Sequence, residues 1–488
     1  MNSEAQGVSV KKISSFFIAI VLTIFSVFIL KQQCNSTEWS TFLNVCRYGT
    51  FIVLADFVLL LIAQNRVLTI PNIIYIFFTL FQFGIPILYA TRADYHTFYS
   101  SLFQTSTLVS GAVYSIFSIL LLTVGFLSVL VFKNPGKKQY VIFEEAEAMR
   151  NYAFVKKASL IVFILTGLIC LPLYTYVAFQ AIKNGFSQAN RTFLSANGLF
   201  NLARAFFIPS CFLYMCFNET HDNVEKIIKV CFFYSCAVLL VSGTRDQSLG
   251  WLFAYLYNIY ARNVDHKLNR RLDWHKINIK KLFRNFFIPL GIFGLIYLAE
   301  YVSANRSGNG NGSIDLYANL LNEMGFNFYS ICFTKMYVPQ VTHFQFGATY
   351  LKSLITLIPN SIDFLGISKN LLLPTAWLGV MNGAHYGSLL SFGVGFSFNA
   401  EAFMNFGWWG LILSFLLPWL LSFTFKKENN SPYGWRQYVI LVIIEVMVTF
   451  PRRDFSESLS TAEYAIFFMG IYLMVLYGIS RRTRRNRD

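Results

Sequence analysis

Charge is scarce in this sequence. Asp, Glu, Lys and Arg make up 13% of 488 residues, and the shortage is lopsided, with 40 basic side chains against 24 acidic ones. A globule of this size in water needs more polar surface than that to cover itself, so a soluble fold is excluded. The chain has no P-loop, no Asp-x-Asp pair for a divalent ion and no Gly-x-Ser-x-Gly elbow. These absences argue against ATP-driven and metal-nucleotide chemistry. Its eight cysteines form no Cys-x-x-Cys pair and have no histidine neighbours at zinc spacing. Five of them (Cys170, Cys211, Cys216, Cys231 and Cys236) lie in apolar runs and read as small packing residues. Neither a metal nor another cofactor is expected. The net charge of +16 sits in short clusters between apolar runs, not on one basic and aromatic face, so no nucleic-acid partner is expected.

Apolar side chains take the place of charge: 55% of the residues are hydrophobic and 18% aromatic. A bilayer core about 30 Å thick takes about 20 apolar residues per helical crossing. Runs able to cross recur at 13–30, 46–63, 72–89, 108–132, 158–181, 198–217, 227–241, 249–260, 285–302, 402–425, 437–450 and 462–479. The expected fold is an all-α polytopic membrane protein with about twelve transmembrane helices. The seventh and eighth runs are short and share the polar hinge 242–248, which suits a tilted hairpin or a broken pair. Lys11 and Lys12 precede the first run and no small-residue cleavage site follows it, so an uncleaved first helix is expected.

Positive charge near helix ends resists translocation. One set of alternate connections, including 133–157, 262–284 and the tail 481–487, holds about 27 of the 40 basic residues. That set, with both termini, is expected in the cytoplasm. The other side receives the segment 303–401, the largest piece outside the membrane. It carries helical patterns at 316–336 and 346–357, rich in Phe and Tyr. A loop of this length is functional or a linker, and its apolar content points to a cap of short interfacial helices on the outer leaflet. The expected organisation is nine crossings in 1–302, the external loop in 303–401, and three crossings with a basic tail in 402–488. The first half has no counterpart to this loop, which argues against an inverted-repeat transporter.

Several constellations could carry chemistry. Arg245 in the hinge is a planar, permanently charged fork suited to phosphate oxygens, with Asp246 able to orient it; the bland alternative is an interfacial arginine snorkelling to water. Arg191, Arg204, Arg452 and Arg453, with Asp454, break the expected scarcity of positive charge on the outer face. Together they could neutralise a lipid-linked pyrophosphate, or bind lipid headgroups as any basic interfacial cluster can. At the re-entry of the long loop, Glu401 and Asn405 stand four apart and share one helix face. Glu401 could take a proton from a sugar hydroxyl, or merely complement the helix dipole. His385 and His343 are outward loop histidines, either a base or simply solvated. Asp56 and Glu445 sit at mid-helix, where structural pairing between helices is the simpler reading.

Twelve or so crossings, the Ser-Gly-Thr-Arg hinge at 242–245, the large loop in the second half and the Gly-x-Gly-Phe-Ser-x-x-x-Glu-x-x-x-Asn-Phe-Gly re-entry at 393–407 together form a recognisable set. In these features the chain resembles the bacterial oligosaccharide repeat-unit polymerases, the Wzy-type O-antigen or capsular polysaccharide polymerases. The resemblance implies glycosyl transfer at the outer face of the bacterial inner membrane, from an undecaprenyl-pyrophosphate-linked glycan to another lipid-linked repeat. It implies Arg245 near the pyrophosphate, with Glu401 and Asn405 matching the loop-end motif. Expected site residues are Arg245, Glu401 and His385 for catalysis, and Arg191, Arg204, Asn405, Arg452 and Arg453 for pyrophosphate or glycan. Expected partners are the lipid-linked oligosaccharide and membrane lipids, with a chain-length regulator left open. A flippase of lipid-linked oligosaccharide, which would use Asp56 and Glu445 as coupling groups, and an O-antigen ligase are the alternatives.

Overall fold

A computed structural model describes residues 10–64, 69–95, 98–132, 145–184, 198–218, 222–242, 245–267, 315–357, 372–387, 395–424 and 433–485. Among them every regular element is helical. Seven helical stretches are long and apolar enough to cross a membrane: Val10–Gln33, Trp39–Gln64, Ile70–Thr91, Thr105–Phe132, Ala153–Gln180, Phe398–Leu421 and Phe455–Gly478. The chain is thus an all-α, multi-pass membrane protein. Of the other expected crossings, 198–217 coincides with a shorter apolar helix, Phe200–Cys216. The runs 227–241, 249–260 and 437–450 lie in helices with more polar ends. The run 285–302 lies outside the described residues.

The chain divides into two compact units, one of 1–140, 317–427 and 447–460, the other of 141–316, 428–446 and 461–488. The first is built around α4 (Thr105–Phe132), whose residues from Leu108 to Val129 are buried almost throughout. Against it pack α1 (Val10–Leu30), α2 (Trp39–Gln64) and α3 (Ile70–Thr91). α3 is buried on nearly all sides, and its polar Asn72, Thr79 and Gln82 are among the buried residues, which favours packing inside a bundle over facing lipid. Its start is fixed by Thr69, whose hydroxyl caps the Asn72 N–H, with Pro71 in the first turn.

Four short helices of the long loop belong to the same unit: α9 (Leu316–Gly325), α10 (Phe328–Tyr337), α11 (Ala348–Ile355) and α12 (Pro374–Tyr386). α9, α10 and α11 fall on the expected patterns at 316–336 and 346–357, α12 lies outside them, and α10 is more deeply buried than a surface cap. Eight of its residues, Phe328–Thr334 and Tyr337, are buried, and it packs on α3, α4 and α13 (Phe398–Phe406). The sequence Phe-Tyr-Ser-Ile-Cys-Phe offers no polar face to leave in water. α9 reaches α3 because Gly84 meets Gly325 backbone to backbone: a Cβ on Gly84 would stand 2.8 Å from the Gly325 Cα. After α13, α14 (Leu411–Leu421) continues the span along α4.

In the second unit α5 (Glu145–Asn184) packs along α6 (Gly198–Cys216), and α7 (Asn223–Ser242) lies against α5 and α8 (Arg245–Lys267). One end of this group is closed by a polar latch. Glu225 Oε1 accepts from Arg262 Nη1 at 2.8 Å and Lys229 Nζ at 2.8 Å, while Oε2 accepts from Asn218 Nδ2 at 2.7 Å. Lys156 Nζ bridges Asn218 and Asp222, 2.7 Å from each. Burial pushes the Asp222 carboxyl up, but the hydrogen bonds from Lys156, the Glu225 N–H and Tyr214 outweigh it and hold it at about 2. Removing one partner from a buried pair strands the other charge. Glu225→Ala is therefore expected to cost about 3–5 kcal/mol, read as a fall in the melting temperature of the detergent-purified protein. An unchanged melting temperature would contradict the latch. The remaining helices are α15 (Trp435–Thr449), α16 (Phe455–Ala462) and α17 (Met469–Arg485).

Candidate functional site

The re-entry motif builds a buried polar clasp. Ser397 has extended backbone and caps α13, its hydroxyl accepting the Ala400 N–H at 3.2 Å. Spacing of four then sets Glu401 and Asn405 on one face. Glu401 is only 1% exposed. Its Oε1 accepts from the Thr349 hydroxyl at 2.8 Å and its Oε2 from the Phe455 backbone N–H at 2.7 Å. Asn405 Nδ2 donates to the Thr349 hydroxyl at 2.6 Å and to the Glu401 carbonyl at 2.8 Å, and its Oδ1 accepts the Gly347 N–H at 2.9 Å. Two backbone bonds, from Gln345 to the Met404 carbonyl and from Phe346 to the Asn405 carbonyl, each 3.0 Å, complete the joint. The helix ends at Gly407, whose φ of +59° suits glycine. One carboxylate thus ties α13 to α11 and to the segment leading into α16. Hydrogen bonds of this kind are worth about 0.5–1.5 kcal/mol each.

That third segment carries Arg452 and Arg453, in and just after a short 3₁₀ turn, Phe450–Arg452. Its backbone is held at successive residues by buried side chains. Gln82 of α3 donates to the Pro451 carbonyl. Asn327 donates to the Arg452 carbonyl at 3.1 Å and to the Phe396 carbonyl at 2.7 Å. Asp454 caps α16 through the Glu457 N–H at 3.0 Å and accepts from the Thr375 hydroxyl of α12 at 2.7 Å. Glu401 takes the Phe455 N–H. The half-buried Arg452 guanidinium has no hydrogen-bond or ion-pair partner among the described residues. Arg453 Nε stands 3.8 Å from Glu457 Oε1, a loose contact. A turn fixed this firmly, carrying an arginine fork that no described residue pairs, can receive an anion without reorganising.

His385 is exposed near the end of α12, its ring 4.7 Å from that of Tyr386, and no contact among the described residues joins it to Glu401. His343 is also exposed. In the second unit Arg204 Nη2 donates to Gln247 Oε1 at 2.7 Å, which brings Arg204 to the first turn of α8. That helix opens at Arg245, so the hinge is a helix start. Arg191 lies outside the described residues. The two mid-helix acids are paired: Asp56 accepts from the Thr123 hydroxyl at 2.5 Å, and Glu445 from the Trp251 indole at 2.8 Å. Among the described residues no three His, Cys, Asp or Glu side chains cluster as a metal site.

Sequence reasoning missed three participants in the first unit. Thr349 is the hub of the clasp, yet a lone threonine in a loop helix carries no signal. Asn327 and Gln82 hold the arginine turn from far along the chain. Lys335 was missed as well, although a lysine in the apolar run Phe328–Tyr337 is costly and could have flagged it. Its ammonium lies 4.0 Å from the Phe403 ring centroid, 4.3 Å from Trp408 and 5.3 Å from Tyr114. Burial pushes Lys335 down to about 7.

No curated protein and no solved structure matches the chain. The family model of the O-antigen polysaccharide polymerase Wzy matches residues 13–486, nearly the whole length. A membrane-spanning helical chain with a polar clasp at its re-entry motif and an anchored arginine turn therefore belongs to the O-antigen polysaccharide polymerase Wzy family.

Proposed function

We propose that the chain polymerises lipid-linked oligosaccharide repeats by glycosyl transfer at the outer face of the inner membrane, with both termini in the cytoplasm. The terminal sugar hydroxyl of one lipid-linked repeat attacks the anomeric carbon of a glycan carried on undecaprenyl pyrophosphate. A new glycosidic C–O bond forms, the anomeric C–O bond to phosphate breaks, the hydroxyl proton passes to a base, and undecaprenyl pyrophosphate leaves. The observation that carries this reading is the open Arg452 fork on a rigid turn in a chain of this family. Fixed cations stabilise charge as it develops on the leaving pyrophosphate, the usual large electrostatic contribution to such transfers.

Arg204, bonded to Gln247 in the first turn of α8, and Arg245, which opens that helix, are proposed to take the pyrophosphate as well. Asp246 stands beside Arg245 in that first turn, and the backbone N–H groups of a helix start add to the attraction for a phosphate. Both oxygens of Glu401 already accept hydrogen bonds, which supports a part in holding the arginine turn over one in proton transfer. The exposed His385 is the proposed base. The hydrogen-bonded partners of Asp56 and Glu445 favour the enzyme over a flippase with those acids as coupling groups.

The test is the lipid-linked glycan pool of a strain lacking the gene. A polymerase leaves single repeats facing outward, whereas loss of a flippase leaves them facing the cytoplasm and loss of a ligase leaves long polymer on the carrier. Either of the last two results overturns the proposal.

A further inference from the structure

Helix α11 is amphipathic in the wrong sense for water. Its polar Thr349 and Ser353 are buried, while Leu351 and Leu354 are 64% and 50% exposed, and Phe346 just before the helix is 79% exposed. An exposed apolar face backed by a polar one is stable where the surroundings are hydrocarbon. The face also continues a membrane surface. The Phe346 N–H bonds to the Asn405 carbonyl near the start of the Phe398–Leu421 span, and further along that span Trp409, Ile412, Leu416 and Leu420 form an exposed stripe at helical spacing. The buried side of α11 meets the arginine turn. The Thr349 hydroxyl bonds Glu401, whose other oxygen holds the Phe455 N–H, and Thr356 just past the helix is 3.0 Å from Ser456. One short helix thus has hydrocarbon-compatible side chains in front and the backbone that presents Arg452 behind.

We propose that the exposed face of α11, with Phe346, Leu351 and Leu354, is the docking surface for the polyprenyl chain of the lipid-linked substrate. This rests on the polymerase reading. A carrier whose phosphates reach the Arg452 turn must lead its hydrocarbon tail away over a neighbouring apolar surface, and α11 is linked to the residues just after that turn, through Glu401 to the Phe455 N–H and through Thr356 to Ser456. Bulk phospholipid could wet the same face, but it has no reason to be displaced by free carrier. The tail binds through apolar contact, and the Thr349–Glu401–Phe455 link holds tail surface and arginine turn in register.

The test is photo-crosslinking in membranes that are making polymer. A benzophenone amino acid replaces Leu354 in one sample and Leu420, on the far part of the exposed stripe, in another. The proposal predicts that position 354 gives an adduct bearing undecaprenyl-linked glycan, which falls at least about tenfold when undecaprenyl pyrophosphate is added. Position 420 should give phospholipid adducts that do not respond. Phospholipid adducts alone at 354, or equal carrier adducts at both positions, overturn the proposal. Because the same membranes are scored for a polymer ladder, either outcome leaves the polymerase reading standing, and in this experiment that reading fails if wild-type membranes make no ladder.

Discussion

Arg245→Ala is expected to abolish chain extension, leaving single lipid-linked repeats while the amount of protein in the membrane stays at the wild-type level. The expectation follows from position. Arg245 opens α8, where free backbone N–H groups attract an anion, and Arg204 reaches the same turn through Gln247. Losing one oriented donor to a leaving oxyanion costs on the order of 100- to 1000-fold in rate. Arg245→Lys is expected to recover only part of it, because a point charge does not reproduce a planar fork. A normal ladder in the alanine variant would remove Arg245 from the mechanism, and full activity in the lysine variant would reduce its part to bulk charge.

The second large effect is expected at Glu401. Glu401→Ala strips the acceptor from the Thr349 hydroxyl and from the Phe455 N–H, and each buried donor left unsatisfied costs about 1–3 kcal/mol. The arginine turn then loses one of its fixing points, so polymer synthesis should fall on the order of 100-fold and the 452–455 segment should become easier to cleave with protease. Glu401→Gln separates the two possible parts of this residue. Its amide oxygen can still accept one of the two bonds, so a positioning role leaves measurable activity with a raised KM. A general base replaced by an amide would lose kcat with KM unchanged, and that pattern would contradict the positioning account.

Much of the fold was legible because lipid imposes a simple rule: a run of about 20 apolar residues is a crossing. The first five expected runs all coincide with spans. Legibility faded where polar side chains enter helices, as in α7 with Glu225 and Lys229, whose charges serve the latch. The clasp was half legible. A spacing of four put Glu401 and Asn405 on one face, but their shared partner Thr349 lies 52 and 56 residues away and Phe455 lies 54 residues beyond Glu401. Nothing local in the sequence encodes such a meeting. For the same reason Arg452 and Arg453 could be read as outward charge, but not as residues on a turn pinned by Gln82, Asn327 and Asp454. The expected pairing of Asp56 and Glu445 was within reach because a mid-membrane acid needs a donor.

The most direct measurement is to reconstitute the purified protein in lipid nanodiscs with undecaprenyl-pyrophosphate-linked repeats as the sole substrate and to resolve the products by length. The account predicts a ladder of extended lipid-linked glycan, released undecaprenyl pyrophosphate in equal number to the new linkages, and neither product with Arg452→Ala. Intact single repeats after incubation with the wild-type protein would contradict it.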